Sequence, residues 1–427
     1  MKILYIHQHF TFPSGAGGAR SYYLAKKLVE EGHKVTMLCG GIEGSDTGLA
    51  SSSLVQKTER DGIEVIKVNV PYSNKQSFMR RVWSFLKFVM VASKVSFGVE
   101  CDLIYATSTP LTVGVLPLLN KLFRRKKYIF EVRDLWPEVP ASLGVIRNPL
   151  LLKALYAFEK MIYRHSECCV GLSPGMVAGI RSVSPDKRVY LLPNACDNHF
   201  FADVANKQVD AYKALQKNEG EFWVGYTGSH GMANGLDAVL DVAAIVKSKG
   251  YDHIKFVLVG DGAKKSKLVR RAQEEQLDNC VFLDTMPKPQ LKQIYGQLDL
   301  GLMVLLNNRS FHEGSSPNKF FDYLACGLPV IVNYPGWMER VIEHFKIGLS
   351  TPPEMAEDFA DKVIAISKNK SQLKVMAENT KKAREFFARE DVAAKFVSIV
   401  TNAQNPSIND KALLSYYALE AKGTPAK

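Results

Sequence analysis

Near the end of the chain, a cation, amide donors and a carboxylate are spaced to converge on one ligand. The segment reads Pro317-Asn318-Lys319-Phe320-Phe321-Asp322-Tyr323-Leu324-Ala325-Cys326-Gly327-Leu328-Pro329. Pro317 suits the first turn of a helix and Gly327 its end. Asn318 and Lys319 therefore sit near a positive helix terminus, with Asp322 about one turn later. A diphosphate asks for the cation and the donors; a ribose diol asks for a carboxylate that can accept from both hydroxyls. Without context, a Lys and an Asp at i, i+3 make an ordinary surface ion pair.

Three glycine turns could admit such a ligand. Gly15-Ala16-Gly17-Gly18 lies between a first strand and a helix beginning near Ala19, where backbone N–H groups can approach an anion or a sugar. Gly228-Ser229-His230-Gly231 and Val259-Gly260-Asp261-Gly262 follow later strands, the second leading to Lys264, Lys265 and Lys267. A tight structural turn explains such glycines equally well. The first turn is not GxGxxG, and Leu38-Cys39-Gly40 puts no acid at the end of the second strand, so a dinucleotide cofactor is excluded. Donor contacts are expected at Gly17, Gly18, Gly228, His230, Gly260, Asn318, Lys319 and Asp322.

Arg133-Asp134-Leu135-Trp136-Pro137-Glu138 follows another apolar run and should line a cleft. Arg133 and Asp134 could simply pair with each other, and Trp136 could be core. The functional reading has Asp134 or Glu138 orienting acceptor hydroxyls, Arg133 near a phosphate, and His7, His9 and Arg20 contributing from the first strand and helix.

The elements that must position these groups alternate along the chain. Short apolar runs at 2–7, 34–39, 63–68, 102–106, 127–131, 168–171 and 188–192, separated by amphipathic stretches such as 19–29 and 150–163, read as parallel βα units. A turn cluster at Pro193-Asn194-Ala195-Cys196-Asp197 is followed by a second series, with strands near 222–226, 254–259, 281–283, 300–304 and 330–333, then a helical region from 357 to 403. The expected fold is α/β, with two facing Rossmann-like doubly wound domains and a ligand cleft at the carboxyl ends of their strands. The expected division is 1–200, 201–404 and a helical tail 405–427 packing back on the first domain.

The 427 residues, 46% hydrophobic and 23% charged, suffice for two cores. Seven scattered cysteines show no disulfide or zinc spacing, which suits a reducing compartment. No secretory signal is legible at the start, and Lys87 and Lys94 interrupt the longest apolar stretch short of the roughly 18 to 20 residues of a spanning helix. The net charge of +12 is concentrated: residues 1–200 carry 26 Lys and Arg against 16 Asp and Glu. Residues 75–127 interleave ten of those cations with Phe78, Trp83, Phe85, Phe88 and Phe97. Arg80, Arg81, Trp83, Lys87, Arg124 and Arg125 are the expected contacts to an anionic membrane surface. Nucleic acid is the other use of such charge, but no nucleic-acid-binding motif accompanies it.

On its motifs the chain resembles the family-4 retaining glycosyltransferases of the GT-B fold, and more narrowly their WbuB-like branch. The resemblance spans nearly all of residues 1–405. It rests on Ile6-His7-Gln8-His9-Phe10 with the following glycines and Arg20, on Glu131 to Glu138, on Leu192-Pro193-Asn194, on Tyr226 to Leu236, and on Pro317 to Ile331. It implies a UDP-sugar co-substrate and no cofactor or metal, with an N-acetylated amino sugar passing to a polyprenyl-diphosphate-linked acceptor in polysaccharide or O-antigen synthesis. It also implies a cytoplasmic enzyme at the inner face of the plasma membrane. Lys319, Asp134 and Arg309 are the expected catalytic groups. Two departures stand out. Of the family's Glu-x7-Glu pair, the second falls on Asp322, while eight residues earlier stands Gly314, with Glu313 one position off. The basic residues that relatives carry after the first strand of the second domain are missing from 228–235, which leaves phosphate charge to Arg309 and Lys319. A UDP-sugar epimerase shares the architecture, and a noncatalytic membrane-binding protein would use the basic patch alone.

Overall fold

The first strand, β1 (Lys2–His7), is buried from residue 3 onward. It lies at the centre of a sheet because Ile3, Leu4, Tyr5 and Ile6 need cover on both faces, the signature of a buried parallel strand. The computed structural model describes residues 1–13, 15, 18–42, 53–72 and 78–404. After β1 come α1 (Arg20–Glu30), β2 (Lys34–Ile42), β3 (Val55–Arg60), β4 (Ile63–Tyr72), α2 (Phe78–Gly98), β5 (Leu103–Thr107) and α3 (Val115–Arg124). β6 (Lys127–Val132), α4 (Glu138–Ser142), α5 (Pro149–His165), β7 (Cys168–Gly171), α6 (Pro174–Val183) and β8 (Val189–Leu191) complete this series. The sheet order is β3-β4-β2-β1-β5-β6-β7-β8, parallel except for β3 against β4.

β3 was not among the expected strands. It is a polar edge, Val-Gln-Lys-Thr-Glu-Arg, without an apolar run. Its signal lay in the turn: Asp61 and Gly62, at φ 53° and 74°, form a two-residue hairpin whose left-handed conformation favours Asp-Gly.

The second series runs α7 (Ala202–Ala205), β9 (Phe222–Thr227), α8 (Asp237–Ser248), β10 (Ile254–Val259), α9 (Lys265–Glu274), β11 (Cys280–Leu283), α10 (Lys288–Tyr295) and β12 (Leu300–Met303). Then follow α11 (Arg309–His312), α12 (Asn318–Ala325), β13 (Val330–Val332), α13 (Trp337–Phe345), β14 (Gly348–Ser350), α14 (Ala356–Lys368), α15 (Lys370–Phe386) and α16 (Arg389–Gln404). These strands form an all-parallel sheet in the order β11-β10-β9-β12-β13-β14. β14, only three residues long, was also unforeseen. The core of this unit gathers Val224, Tyr226, Phe256, Leu258, Leu302 and Ile331 under α8, α9 and α14.

The chain divides at Pro193, and among the described residues those from 390 to 404 rejoin the first unit. This differs from the expected division at 200 with 201–404 as one domain. α16 belongs to the first unit because its Phe396 ring packs 4.9 Å from Tyr105 and 6.3 Å from Tyr5. Within the second unit the two crossing segments are stitched together: Cys196 N–H donates to Phe387 O (2.8 Å), and Arg389 N–H donates to Cys196 O (3.1 Å). The expected tail, 405–427, lies outside the described residues.

Candidate active site

In the second unit β9 and β12 are central neighbours, and the chain leaves β9 towards β10 on one side and β12 towards β13 on the other. Loops at the carboxyl ends of these strands therefore part around a crevice, the usual ligand position in an open parallel sheet. α12 begins at the same end, since it runs back from β12 to the start of β13.

Here Gly228 and Gly260 interlock. Both have positive φ, 139° and 147°, and a Cβ on Gly260 would lie 1.8 Å from Gly228 O. His230 sits beneath the two turns, fully buried, with its N–H donating to Asp261 O and its carbonyl accepting from Lys264 N–H. Burial, then the nearby charges of Lys265 and Lys319, pull His230 down to about 4, so it is neutral. With no exposed surface, its ring packs against Tyr226 and Phe282, and both ring nitrogens lack a partner among the described residues.

Lys319, in the first turn of α12, lays its ammonium over the Tyr226 ring, 3.7 Å from the centroid. It borders Gly228 so closely that a Cβ there would stand 3.5 Å from Nζ. Burial pulls Lys319 down to about 7, and no acid among the described residues opposes it. Lys265 nearby is satisfied by Gly260 O, Leu283 O and Asp284. A half-buried cation without a counter-charge is costly unless an anion completes it. Asn318 is exposed at the first position of α12.

Asp322 is largely covered and points to Lys288 on α10, 3.3 Å from its Oδ1. Burial raises this carboxyl, and Lys288 opposes the rise. Lys288 and Asp197 were not foreseen, because nothing in the spacing links residues 197, 288 and 322. Arg309 is exposed, and its side chain makes no ion pair or hydrogen bond among the described residues. The structure therefore does not join it to Lys319. Glu313 forms a two-pronged pair with Arg340, at 2.8 and 2.7 Å. Asn194 Nδ2 donates to Ser316 O (2.6 Å), fastening the loop that leads into α12.

In the first unit the expected acceptor group Arg20 is corrected. It is buried, donates through Nε (3.2 Å) and Nη2 (2.9 Å) to Glu131, and through Nη1 and Nη2 to the carbonyls of Pro193 and Leu192. Tyr105 (2.8 Å) and Thr107 (2.7 Å) also donate to Glu131. Burial alone would raise Glu131, but the Arg20 charge and these hydrogen bonds outweigh it and hold the carboxyl below its usual range. The pair is spent on structure.

His7, Arg133 and Asp134 do gather at the carboxyl ends of β1 and β6. Arg133 Nη1 donates to His7 Nε2 (3.0 Å). Burial, then Arg133, keeps His7 well below its usual range, so the neutral ring carries its proton on Nδ1, which has no partner among the described residues. His9 is likewise held at about 4. Asp134 is exposed and accepts from Thr109 Oγ1 (3.3 Å). Glu138 is exposed at the first position of α4, and Gly18 is exposed before α1; Gly17 lies outside the described residues.

The basic patch is mixed in outcome. Arg80 and Lys87 are exposed on α2, Arg125 is exposed after α3, and Trp83 is 66% exposed. Of Arg81 only its place in α2 is described. Arg124 is corrected: it donates to Ser96 O, Val99 O and Asn120 Oδ1, capping the end of α2. Beside these, Phe123 (72%) and Leu150 (77%) are large exposed apolar groups that the basic-aromatic pattern did not include. No helix among the described residues is long and apolar enough to cross a membrane, and none of them cluster as three or more metal-binding side chains.

Comparison with known proteins fits this arrangement. The model for glycosyl transferases group 1 matches residues 209–383, and that for a glycosyl transferase 4-like domain matches 15–195. The probable glycosyltransferase WbjE of Pseudomonas aeruginosa is 24% identical over 66% of this chain and 71% of its own. The putative colanic acid biosynthesis glycosyl transferase WcaI of Escherichia coli is 24% identical over 67% and 72%. Among solved structures, sucrose-phosphate synthase from Thermosynechococcus elongatus superposes with a TM-score of 0.74 at 18% identity, over 95% of this chain and all of the other. HepE of Anabaena, solved with UDP and glucose, gives 0.65 at 16% identity over 94% and 99%. With its GT-B fold and each half matched by a glycosyltransferase model, the chain is a glycosyltransferase of the GT-B type.

Proposed function

We propose that the protein transfers a sugar, with retention, from a UDP-sugar to a polyprenyl-diphosphate-linked acceptor in polysaccharide synthesis. The donor sugar is an N-acetylated amino sugar on the strength of the resemblance, as is placement in the WbuB-like branch. UDP bound to HepE and the colanic acid role in the name of WcaI support the donor and the pathway class. The observation that carries the reading is Lys319, a half-buried ammonium without a carboxylate partner among the described residues, beside a glycine turn and a helix N-terminus.

In the reaction, the bond from the anomeric carbon to the diphosphate oxygen breaks while the acceptor oxygen bonds on the same face. The acceptor proton passes to the departing phosphate. Negative charge grows on the diphosphate, so a fixed cation there is worth more in the transition state than in the ground state. Orientation and this stabilisation suffice without a metal or a catalytic pair. Asp134 orients the acceptor hydroxyl, with Arg133 and the His7 to which it is hydrogen-bonded contributing from the same sheet end. Asp322 accepts from the ribose, and Arg309 is the outer, second cation.

Docking at the cytoplasmic membrane face is supported by the charge asymmetry and by exposed Trp83 and Phe123 near Arg80, Lys87 and Arg125 in the chain. Each basic residue at an anionic surface contributes about 1 kcal/mol. Replacing Arg80, Lys87 and Trp83 with Ala should release the protein from anionic vesicles in sedimentation, with UDP binding unchanged; retained vesicle binding refutes the docking. The donor itself is tested by a panel of UDP-sugars in thermal unfolding. A bound sugar nucleotide raises the midpoint as ln(1 + [L]/Kd), and no shift with any member refutes the donor class.

A further inference from the structure

The carboxylate of Asp322 is held by a chain of alternating charge that begins where the polypeptide passes between its two units. Arg389 Nη2 stands 2.5 Å from Asp197 Oδ2, Lys288 Nζ lies 3.8 Å from that same oxygen, and Lys288 Nζ is 3.3 Å from Asp322 Oδ1. Asp197 is four residues beyond Pro193, and Arg389 is the last residue before the chain returns to the first unit. Asp197 is almost fully buried, with Oδ1 accepting from Phe200 N–H (3.2 Å). The Lys288 ammonium also lies over the rings of Phe201 (5.1 Å) and Phe200 (5.4 Å). Two acids and two rings thus fix this long side chain in one place.

We propose that Lys288 is the positioning residue for the Asp322 carboxylate, itself held by Asp197 and, through it, by Arg389. The proposal rests on the reading of Asp322 as the ribose acceptor. To accept from two hydroxyls, Asp322 must be ionised and fixed in rotation. The charged groups that face it are Lys288, Asp197 and Arg389; Tyr295, Cys196 and Cys326, all buried, surround it as neutral groups. Burial raises Asp322, Asp197 adds to the rise, and Lys288 is the foremost opposing charge. Without Lys288 the carboxyl would turn more freely and take up a proton at higher pH.

Calorimetry with UDP on the full chain, from pH 5 to 8, tests this. Lys288→Met should weaken UDP by about tenfold or more at pH 7, the scale of a charged hydrogen bond. It should also move the acid loss of binding upward by about one pH unit, and Lys288→Arg should restore both. Lys288→Gln is expected to behave as Lys288→Met and serves in its place should the Met variant not fold. Asp197→Asn should give a smaller loss of affinity at pH 7 without the upward shift in pH, because it also removes a charge that raises Asp322. Asp322→Asn is the reference. If it loses UDP while Lys288→Met and Lys288→Gln bind as the native protein does, positioning by Lys288 is wrong and the donor reading stands. A Lys288→Arg variant as weak as Lys288→Met also overturns the proposal. If Asp322→Asn binds UDP normally, the ribose reading falls and takes this proposal with it.

Discussion

Arg20 and Lys319 occupy equivalent places in the two units: each lies in the first turn of a helix, α1 or α12, at the carboxyl end of a parallel sheet. Their fates differ. Arg20 is enclosed by Glu131 and two carbonyls, so its charge is cancelled within the protein. Lys319 meets a ring face and a glycine, and no acid. A buried charge whose partner is internal holds a fold together, whereas one left open is completed by something from outside. A basic residue at a helix start does not by itself mark a ligand; its compensation decides.

The largest expected effect breaks the internal pair. Arg20→Ala leaves Glu131 buried without its counter-charge and should destabilise the first unit by about 3–5 kcal/mol, read as a lowered midpoint in chemical denaturation. An Arg20→Ala protein of native stability that fails to use acceptor would restore Arg20 to the site and erase the contrast.

Lys319→Ala should do the reverse, sparing stability while lowering kcat by about 10²-fold or more, with less change in donor KM. Steady-state kinetics decide it. A near-normal kcat would mean that the phosphate is held elsewhere, with Arg133 and Lys264 the next candidates.

A milder test concerns the ribose. Asp322→Ala should cost about 1.5 to 3 kcal/mol of UDP binding in calorimetry, the value of a charged hydrogen bond, and Asp322→Glu should be tolerated. Equal binding by the Ala variant would remove Asp322 from the donor site.

The smallest effect sharpens the comparison through pH. Lys319, pulled down to about 7, is charged below that pH and neutral above it. A diphosphate favours the charged form, so UDP-sugar affinity should be greatest below pH 7. It should then fall modestly above it, by the small ground-state share of the contact, and level off at the raised pKa of the complex. Arg20, paired with Glu131 and charged throughout, adds no such slope. Lys319→Arg, which cannot deprotonate in this range, should flatten the profile. A native profile already flat from pH 6 to 9 would show that Lys319 carries no ligand charge.

Much of the scaffold was legible in the residues themselves. Continuous apolar runs such as Ile3 to Ile6 and Phe256 to Val259 mark buried parallel strands, because both faces must be covered. Pro317 and Gly327 bracket α12 closely, since fixed φ suits a helix start and positive φ its end. β3 escaped for the same reason in reverse: a polar edge strand has no run to read, and only Asp61-Gly62 announced it.

The sequence by itself therefore determined the order of elements and the chemistry available at their ends: a cation at 319, a carboxylate at 322, and glycines at 228 and 260. Tertiary structure alone decided which of these charges were already used. Arg20 meets Glu131 across 111 positions and Asp322 meets Lys288 across 34, and no local pattern encodes either encounter. Propensity and periodicity act over a few residues, whereas charge compensation depends on what the folded chain brings within about 4 Å. It is that distance, invisible along the sequence, that turned Arg20 into scaffold and left Lys319 open.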